Sequence, residues 1–204
     1  MSKEVIVIGT GGHGRVIADI VQCSGDIVKG FLDDAHDPME MICGIPVLGH
    51  VSDYVKFPDA WFVIGIGSSA VRHRIAQLME GVKWYTAVHP TAIISKMDTA
   101  IGEGTVIMPG AVVNVCSKIG RHCIINTAAS VDHDNRIGDF TQISVGARLA
   151  GTVTVGSHVW VGIGAVVSNN LSVCDDCYIG AGAVIVKDIT DPGTYAGVPA
   201  RKMK

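Results

Sequence analysis

Residues 101–185 read IGEGTVIMPGAVVNVCSKIGRHCIINTAASVDHDNRIGDFTQISVGARLAGTVTVGSHVWVGIGAVVSNNLSVCDDCYIGAGAVI. Moving by six from Ile101, the chain presents Ile107, Val113, Ile119, Ile125, Val131, Ile137 and Ile143, then Leu149, Val155, Val161, Val167, Val173, Ile179 and Ile185. Every position is aliphatic and nothing is inserted. The next residue is often small or turn-prone: Gly102, Gly120, Asn126, Asp132, Gly138, Gly156, Gly162 and Gly180. A β-sandwich would alternate with period two in segments of uneven length, so a strict period of six excludes it. The pattern predicts a parallel β-helix in which each hexad gives one short strand and one corner, with the aliphatic residue inward and the small residue turning the chain. Three hexads close a coil, so the run makes roughly five coils.

The whole chain has 204 residues, a net charge of −3, 48% hydrophobic residues, 17% charged, 5% aromatic and 25 glycines. That balance argues against nucleic acid or an anionic membrane as a partner. No apolar stretch approaches the ~18–20 residues of a membrane span. The N-terminal MSKEVIVIGTGGHG leads straight into a strand and a turn, without a cleavable apolar region. With six cysteines and no such signal, reduced thiols and a cytoplasmic location are expected.

The first ninety residues follow another rhythm. Glu4–Ile8 reads as a buried strand, followed by Gly9-Thr10-Gly11-Gly12-His13-Gly14 and a helical stretch from Arg15 to Cys23. Asp26–Leu32 is a second strand ending at Asp33 and Asp34; Ile42–Leu48 is a hairpin-like connection containing Pro46. Trp61–Ile66 is a third strand leading into Gly67, Ser68 and Ser69, with a helix over Ala70–Glu80 and a strand over Lys83–Val88. Strands alternating with helices predict a small α/β Rossmann-like domain over 1–90, with the β-helix domain over 91–204. Gly9, Gly11 and Gly14 form G-x-G-x-x-G in the required strand–turn–helix context, where helix N–H groups meet a phosphate. Asp33 and Asp34 stand about twenty residues on, where a ribose or base contact is expected. His13 lies inside the loop. A nicotinamide dehydrogenase would need a second mononucleotide half and a hydride-transfer site, and the chain offers neither. A nucleotide attached to a sugar fits the half-sized cradle better.

In the β-helix, Asp132-His133-Asp134 places an imidazole between acids, the arrangement that fixes a tautomer and supports a general base. The other histidines, His122 and His158 included, read as structural or solvated. Cys174-Asp175-Asp176-Cys177 stays in phase with the repeat and lacks two further ligands for zinc, so no metal is expected.

In order along the chain stand GTGGHG after the first strand, FLDD at the second, GIGSS at the third, HP at the exit, NTAASVDHDNRIGDF in mid-helix and GVPAR near the C-terminus. Together they resemble the bacterial sugar O/N-acetyltransferase family of the hexapeptide-repeat superfamily. Its members include sialic acid O-acetyltransferases and the N-acetyltransferase of the UDP-N-acetylbacillosamine pathway. The resemblance spans the chain. It implies a left-handed β-helix, acetyl-CoA as co-substrate, a nucleotide-linked amino sugar as acceptor, and a homotrimer with active sites between subunits. It further implies His133 as base and Asp134 as the acid orienting it. Gly11, Gly12, His13, Asp33, Asp34, Gly67 and Ser68 then belong to the acceptor's nucleotide, and Asn126 to the acceptor pocket. Gly151 would offer its amide to the acetyl carbonyl, and Gly197, Pro199 and Arg201 would lie along CoA. Where the UDP-sugar enzyme carries a second histidine near acetyl-CoA, this chain has Gln142. O-acetylation of a sialic acid, or a non-catalytic trimeric nucleotide-binding scaffold, are the alternative readings.

Overall fold

The computed structural model describes residues 2–203. It divides into two compact units, one ending at Pro90 and the other beginning at Thr91. In the first, β1 (Glu4–Ile8) precedes α1 (Gly12–Cys23), β2 (Ile27–Leu32) and a hairpin of β3 (Met41–Ile42) and β4 (Ile45–Gly49). Then come a 3-10 helix over Val51–Lys56, β5 (Trp61–Ile64), α2 (Ser69–Leu78) and β6 (Lys83–Trp84). The sheet order is β3-β4-β2-β1-β5-β6, with β1 paired in parallel to β2 on one side and to β5 on the other. Val5, Ile6, Val7 and Ile8 are all fully buried, so β1 is covered on both faces, as an uninterrupted apolar run in a parallel sheet requires. The chain order reverses beside β1, which opens a crevice at the C-terminal ends of β1, β2 and β5.

Boundaries depart from the sequence reading for local reasons. Helix α1 starts at Gly12 rather than Arg15, because Gly14 must already be helical to lie against β1. A Cβ on Gly14 would overlap the Gly9 carbonyl, and Gly9 itself has φ +99°. Strand β5 stops at Ile64, and Gly65 passes close against α1, where a Cβ would meet Gly14 Cα at 2.6 Å. The expected strand over Lys83–Val88 is two pieces, Lys83–Trp84 and Ala87–Val88. The 3-10 helix had no periodic signal; Asp53 anchors it by accepting from the His50 N–H at 3.0 Å.

The second unit is a β-solenoid. Two-residue strands recur every six residues and stack in three parallel sheets, in register from coil to coil: Val106, Ile124, Gln142, Trp160 and Tyr178 form one column, Ser130, Arg148, Val166 and Val184 another. The aliphatic positions from Ile107 to Ile185 are at most 4% exposed, as the repeat demanded. A second inward column lies two residues earlier in each hexad, with Thr105, Ala111, Ser117, Cys123, Ala129, Asn135 and Thr141 all fully buried. Small size there was not read from the sequence.

The corner is also made differently from expectation. The left-handed backbone falls three residues after the aliphatic one, at Gly104, Gly110 and Gly146 but also at His122 (φ 51°), Asp134 (φ 58°), Phe140 (φ 59°) and Thr152 (φ 60°). The residue directly after the aliphatic one is small because coils approach closely there. A Cβ on Gly102 would lie 2.5 Å from the Gly120 carbonyl group, and one on Gly138 would lie 2.5 Å from Ser157 N. At one edge His122, Phe140 and His158 stack with centroids 5.2 and 5.3 Å apart, which explains two histidines that carry no chemistry in this reading.

Substituting Gly14→Ala should lower stability by about 2–3 kcal/mol, since the methyl meets rigid backbone instead of a yielding side chain. Gly11→Ala, which meets nothing within 4 Å, should leave the thermal midpoint nearly unchanged. Melting curves of the two variants side by side check this.

Candidate functional site

The first unit holds a cavity of about 700 Å³ at the crevice of the sheet. Gly11, Gly12 and His13 form its floor at the start of α1, whose N-cap has no side-chain hydrogen bond, so the first helix amides remain available. Added Cβ atoms at Gly11 and Gly67 would meet nothing within 4 Å, and at Gly12 only Arg15 Nη2 at 4.0 Å. Packing therefore does not require glycine at these three positions, in contrast to Gly9 and Gly14; what their bare backbone provides is open approach for an occupant. Apolar walls come from Leu32, Val51, Ile66, Val71 and Ile75. Arg74 is the single lysine or arginine among the lining residues; the sequence reading missed it.

The two acids separate. Asp33 is committed internally, its Oδ2 accepting from Thr10 N–H (2.8 Å) and Thr10 Oγ1 (2.6 Å) and its Oδ1 from Ala35 N–H (2.9 Å). Burial raises its pKa, but these hydrogen bonds outweigh it and the carboxyl sits below its ordinary range. Asp34 is exposed on the cavity rim, with Oδ1 held by Val51 N–H at 2.8 Å. Ser68 is not a wall residue: its hydroxyl caps α2, accepting from Val71 N–H at 3.4 Å. His13 Nε2 is buried and has no hydrogen-bond partner among the described residues. Burial first, and then the charge of Arg72, hold its pKa down to about 4, so the imidazole is neutral at physiological pH. Arg72 is 1% exposed and its Nη1 donates to Ile66 O (3.2 Å) and Gly67 O (2.6 Å), fixing the loop that forms one wall. Nothing in the sequence marked it, because an arginine within a helix reads as solvated.

The second unit holds the histidine corner. His133 Nδ1 lies 2.7 Å from Asp134 Oδ2, which fixes the ring and leaves Nε2 as the unprotonated nitrogen when the histidine is neutral. Asp134 occupies the left-handed corner position (φ 58°) that turns its carboxylate back toward the preceding ring. Asp132 does other work: its Oδ1 accepts from Asn114 Nδ2 and from His133 N–H, both at 2.8 Å. Those two hydrogen bonds keep its carboxyl below the ordinary range. The hydrogen bond to the Asp134 carboxylate raises the His133 pKa and outweighs desolvation, which opposes it, and the charges of Asp132 and Asp134 add to the rise.

One coil further on, Gly151 lies over this ring. A methyl at that position would overlap His133 Cε1 and Nε2, so glycine leaves the room that the ring occupies here. The two coils are tied there by Thr152 N–H donating to His133 O at 2.9 Å. Asn126 does not join the cluster within the chain. It sits on the preceding corner of the coil, its Oδ1 accepting from Thr127 N–H at 2.8 Å. Gln142 is 7% exposed, with Nε2 donating to Ser144 Oγ at 3.4 Å.

At the C-terminal end, Gly193–Gly197 and Ala200–Lys202 pair as an antiparallel hairpin around a cis Val198–Pro199 bond. Arg201 and Lys202 join Lys187 on a groove of about 340 Å³. Gly197 closes the first strand of that hairpin opposite Ala200, and Pro199 lies in its turn. The Cys174 and Cys177 thiols are 3.5 Å apart, and burial pushes Cys177 up to about 12, which leaves it unreactive. No helix among the described residues is long and apolar enough to cross a membrane.

A switch-point cradle joined to a hexad solenoid with a carboxylate-oriented histidine defines a class of two-domain acyltransferase folds, and comparison with known proteins gives the family. Residues 4–79 match the PglD N-terminal domain. The acetyltransferase domain of PglB from Neisseria gonorrhoeae FA1090 is 35% identical, with 99% of this chain and 100% of that chain covered and a TM-score of 0.93; the same domain has been solved with acetyl coenzyme A. PerB from Caulobacter crescentus, in complex with CoA and GDP-perosamine, is 32% identical over 98% of this chain and 97% of that chain, with a TM-score of 0.92. Among curated proteins, the UDP-N-acetylbacillosamine N-acetyltransferase of Bacillus subtilis is 38% identical over 114 residues, covering 52% of this chain and 51% of the relative. The GDP-perosamine N-acetyltransferase of Escherichia coli O157:H7 is 30% identical, covering 56% and 55%. The chain spans about half the length of the curated relatives it matches. It belongs to the sugar acetyltransferase family of which the PglB acetyltransferase domain and PerB are solved members.

A histidine NMR titration should place His133 above the ordinary imidazole value of 6.5, the direction Asp134 dictates. Asp134→Asn should bring it down. A His133 pKa that is unchanged by that substitution would remove Asp134 from its orienting role.

Proposed function

We propose that this chain is an acetyl-CoA-dependent N-acetyltransferase that acts on the amino group of a nucleotide-linked 4-amino-deoxysugar, with His133 as general base. The observation that carries the reading is the pairing of the oriented His133–Asp134 corner with an open glycine cradle of nucleotide size. In the cradle, the α1 amides and Arg74 supply positive potential for a diphosphate, and the apolar walls accept a base. Asp34 on the rim and the neutral His13 are the polar contacts, while Asp33 shapes the turn. The C-terminal groove, with Lys187, Arg201 and Lys202, suits the phosphates of CoA, with Gly197 and Pro199 shaping the hairpin beside it.

The chemistry follows from the corner. The amine attacks the thioester carbonyl, and His133 Nε2 takes the amine's proton as the new C–N bond forms. The carbon becomes tetrahedral, and its oxygen receives the Gly151 N–H, which has no acceptor among the described residues. Collapse expels the CoA thiolate, which leaves with the proton that His133 returns. General-base help of this kind contributes typically ~10²–10⁴-fold, and one oxyanion donor roughly 3–4 kcal/mol. No acetyl-enzyme is required. Asn126 and Gln142 complete the acceptor and acetyl-CoA surroundings in a homotrimer, and the location is cytoplasmic.

Thiol release from acetyl-CoA, measured against UDP-, GDP- and dTDP-linked 4-amino-deoxysugars and against free and CMP-linked sialic acid, tests the proposal. Turnover is expected with one amino-sugar nucleotide. His133→Ala should lose at least ~10²-fold in kcat with acetyl-CoA affinity retained. Arg74→Ala should raise the acceptor KM about ten-fold and leave the acetyl-CoA KM alone. Turnover only with a sialic acid would assign O-acetylation instead. Full activity of His133→Ala would end the assignment of the base.

A further inference from the structure

Asn135 interrupts the inward column of small residues at the coil that carries His133. It is fully buried, and all of its polar atoms are used. Its Nδ2 donates to Asp132 O (2.7 Å), to Ala150 O (3.0 Å) and more weakly to His133 O (3.3 Å). Its Oδ1 accepts from Val153 N–H at 3.2 Å. Two of these partners, the carbonyls of Asp132 and His133, belong to the histidine corner. The other two flank Gly151 and Thr152 in the next coil.

The same slot elsewhere makes a simpler staple. Thr105 Oγ1 donates to Gly120 O (2.8 Å) and accepts from Cys123 N–H (3.0 Å). Thr141 does the same with Gly156 O (2.6 Å) and Val159 N–H (3.0 Å). In both cases a buried threonine ties its coil to the next and makes no bond to its own corner. Asn135 repeats that inter-coil pair with Ala150 and Val153, and then adds the bonds to Asp132 and His133. Ser117, one coil earlier in the column, also reaches the corner, with Oγ donating to Asp132 O at 2.9 Å.

We infer that Asn135 is a positioning residue for transfer: a single buried amide fixes the corner bearing His133 against the segment bearing Gly151. The base and the oxyanion donor are thereby held at one separation. Because a misplacement of about 1 Å costs on the order of a hundred-fold, a side chain that touches no substrate sets the rate. This rests on the reading of His133 as base and Gly151 as donor.

The test uses the full-length protein and three substitutions. Asn135→Ala removes both sets of bonds. Asn135→Thr keeps the inter-coil staple that Thr105 and Thr141 make and removes the corner bonds. Thr105→Ala loses an equivalent staple away from His133. With the best acceptor, Asn135→Ala should lose about 10–100-fold in kcat, with both KM values within about three-fold. Asn135→Thr should keep a near-wild-type melting temperature and lose about three- to ten-fold in kcat. Thr105→Ala should melt lower yet turn over at the wild-type rate. Wild-type kcat in Asn135→Thr would overturn the inference, as would a loss in Asn135→Ala that Thr105→Ala matches at an equal fall in melting temperature. His133→Ala is measured beside them. If it stays active, the reading of the base fails and the inference falls with it; if it is dead while Asn135→Thr is fully active, only the inference falls.

Discussion

The structure of the second unit depends on one constraint, the backbone hydrogen bonding that sets each coil on the last in an eighteen-residue register, as between Lys118 and Arg136 or Ser130 and Arg148. Strands so bonded lie about 4.8 Å apart, and at the corners the spacing leaves no room for a Cβ at Gly102, Gly120 or Gly138. The same spacing stacks His122 on Phe140 and brings Gly151 over His133. Chemistry at such a corner follows from the register: whatever stands eighteen residues beyond the histidine touches it. Glycine at position 151 leaves the space that the ring fills.

The first unit reaches its site by another constraint, the close approach of a helix to a strand. Gly9, Gly14 and Gly65 bring α1 and the loop after β5 against β1, and that packing sets the mouth of the cavity. Gly11, Gly12 and Gly67 are instead open toward the cavity. A single G-x-G-x-x-G thus contains two kinds of glycine, distinguished by what a methyl would strike. Charge is distributed in a similar way. Asp33 spends its oxygens on Thr10 and Ala35, and His13 is held neutral, so the positive character facing an occupant falls to the α1 amides and Arg74.

The hexad period, the strand–glycine–helix opening and a histidine set between two acids were legible in the chain, because each depends on neighbours close in sequence and on side-chain type. Sequence order determined the fold class, the division near residue 90 and the identity of the candidate base. Asp132 and Asp134 flank His133 symmetrically on paper, and where the family resemblance alone pointed to Asp134, the tertiary structure shows Asp134 on the imidazole and Asp132 on the backbone N–H. Three-dimensional packing likewise showed that Ser68 caps a helix and that Asn126 lies on a different corner. Arg72, Arg74 and Asn135 came to light only there. Arg72 and Asn135 matter through burial and through partners such as Ile66, Gly67, Ala150 and Val153, and Arg74 through its place on the cavity lining; for Asn135 the inter-coil partners are about a full coil away along the chain.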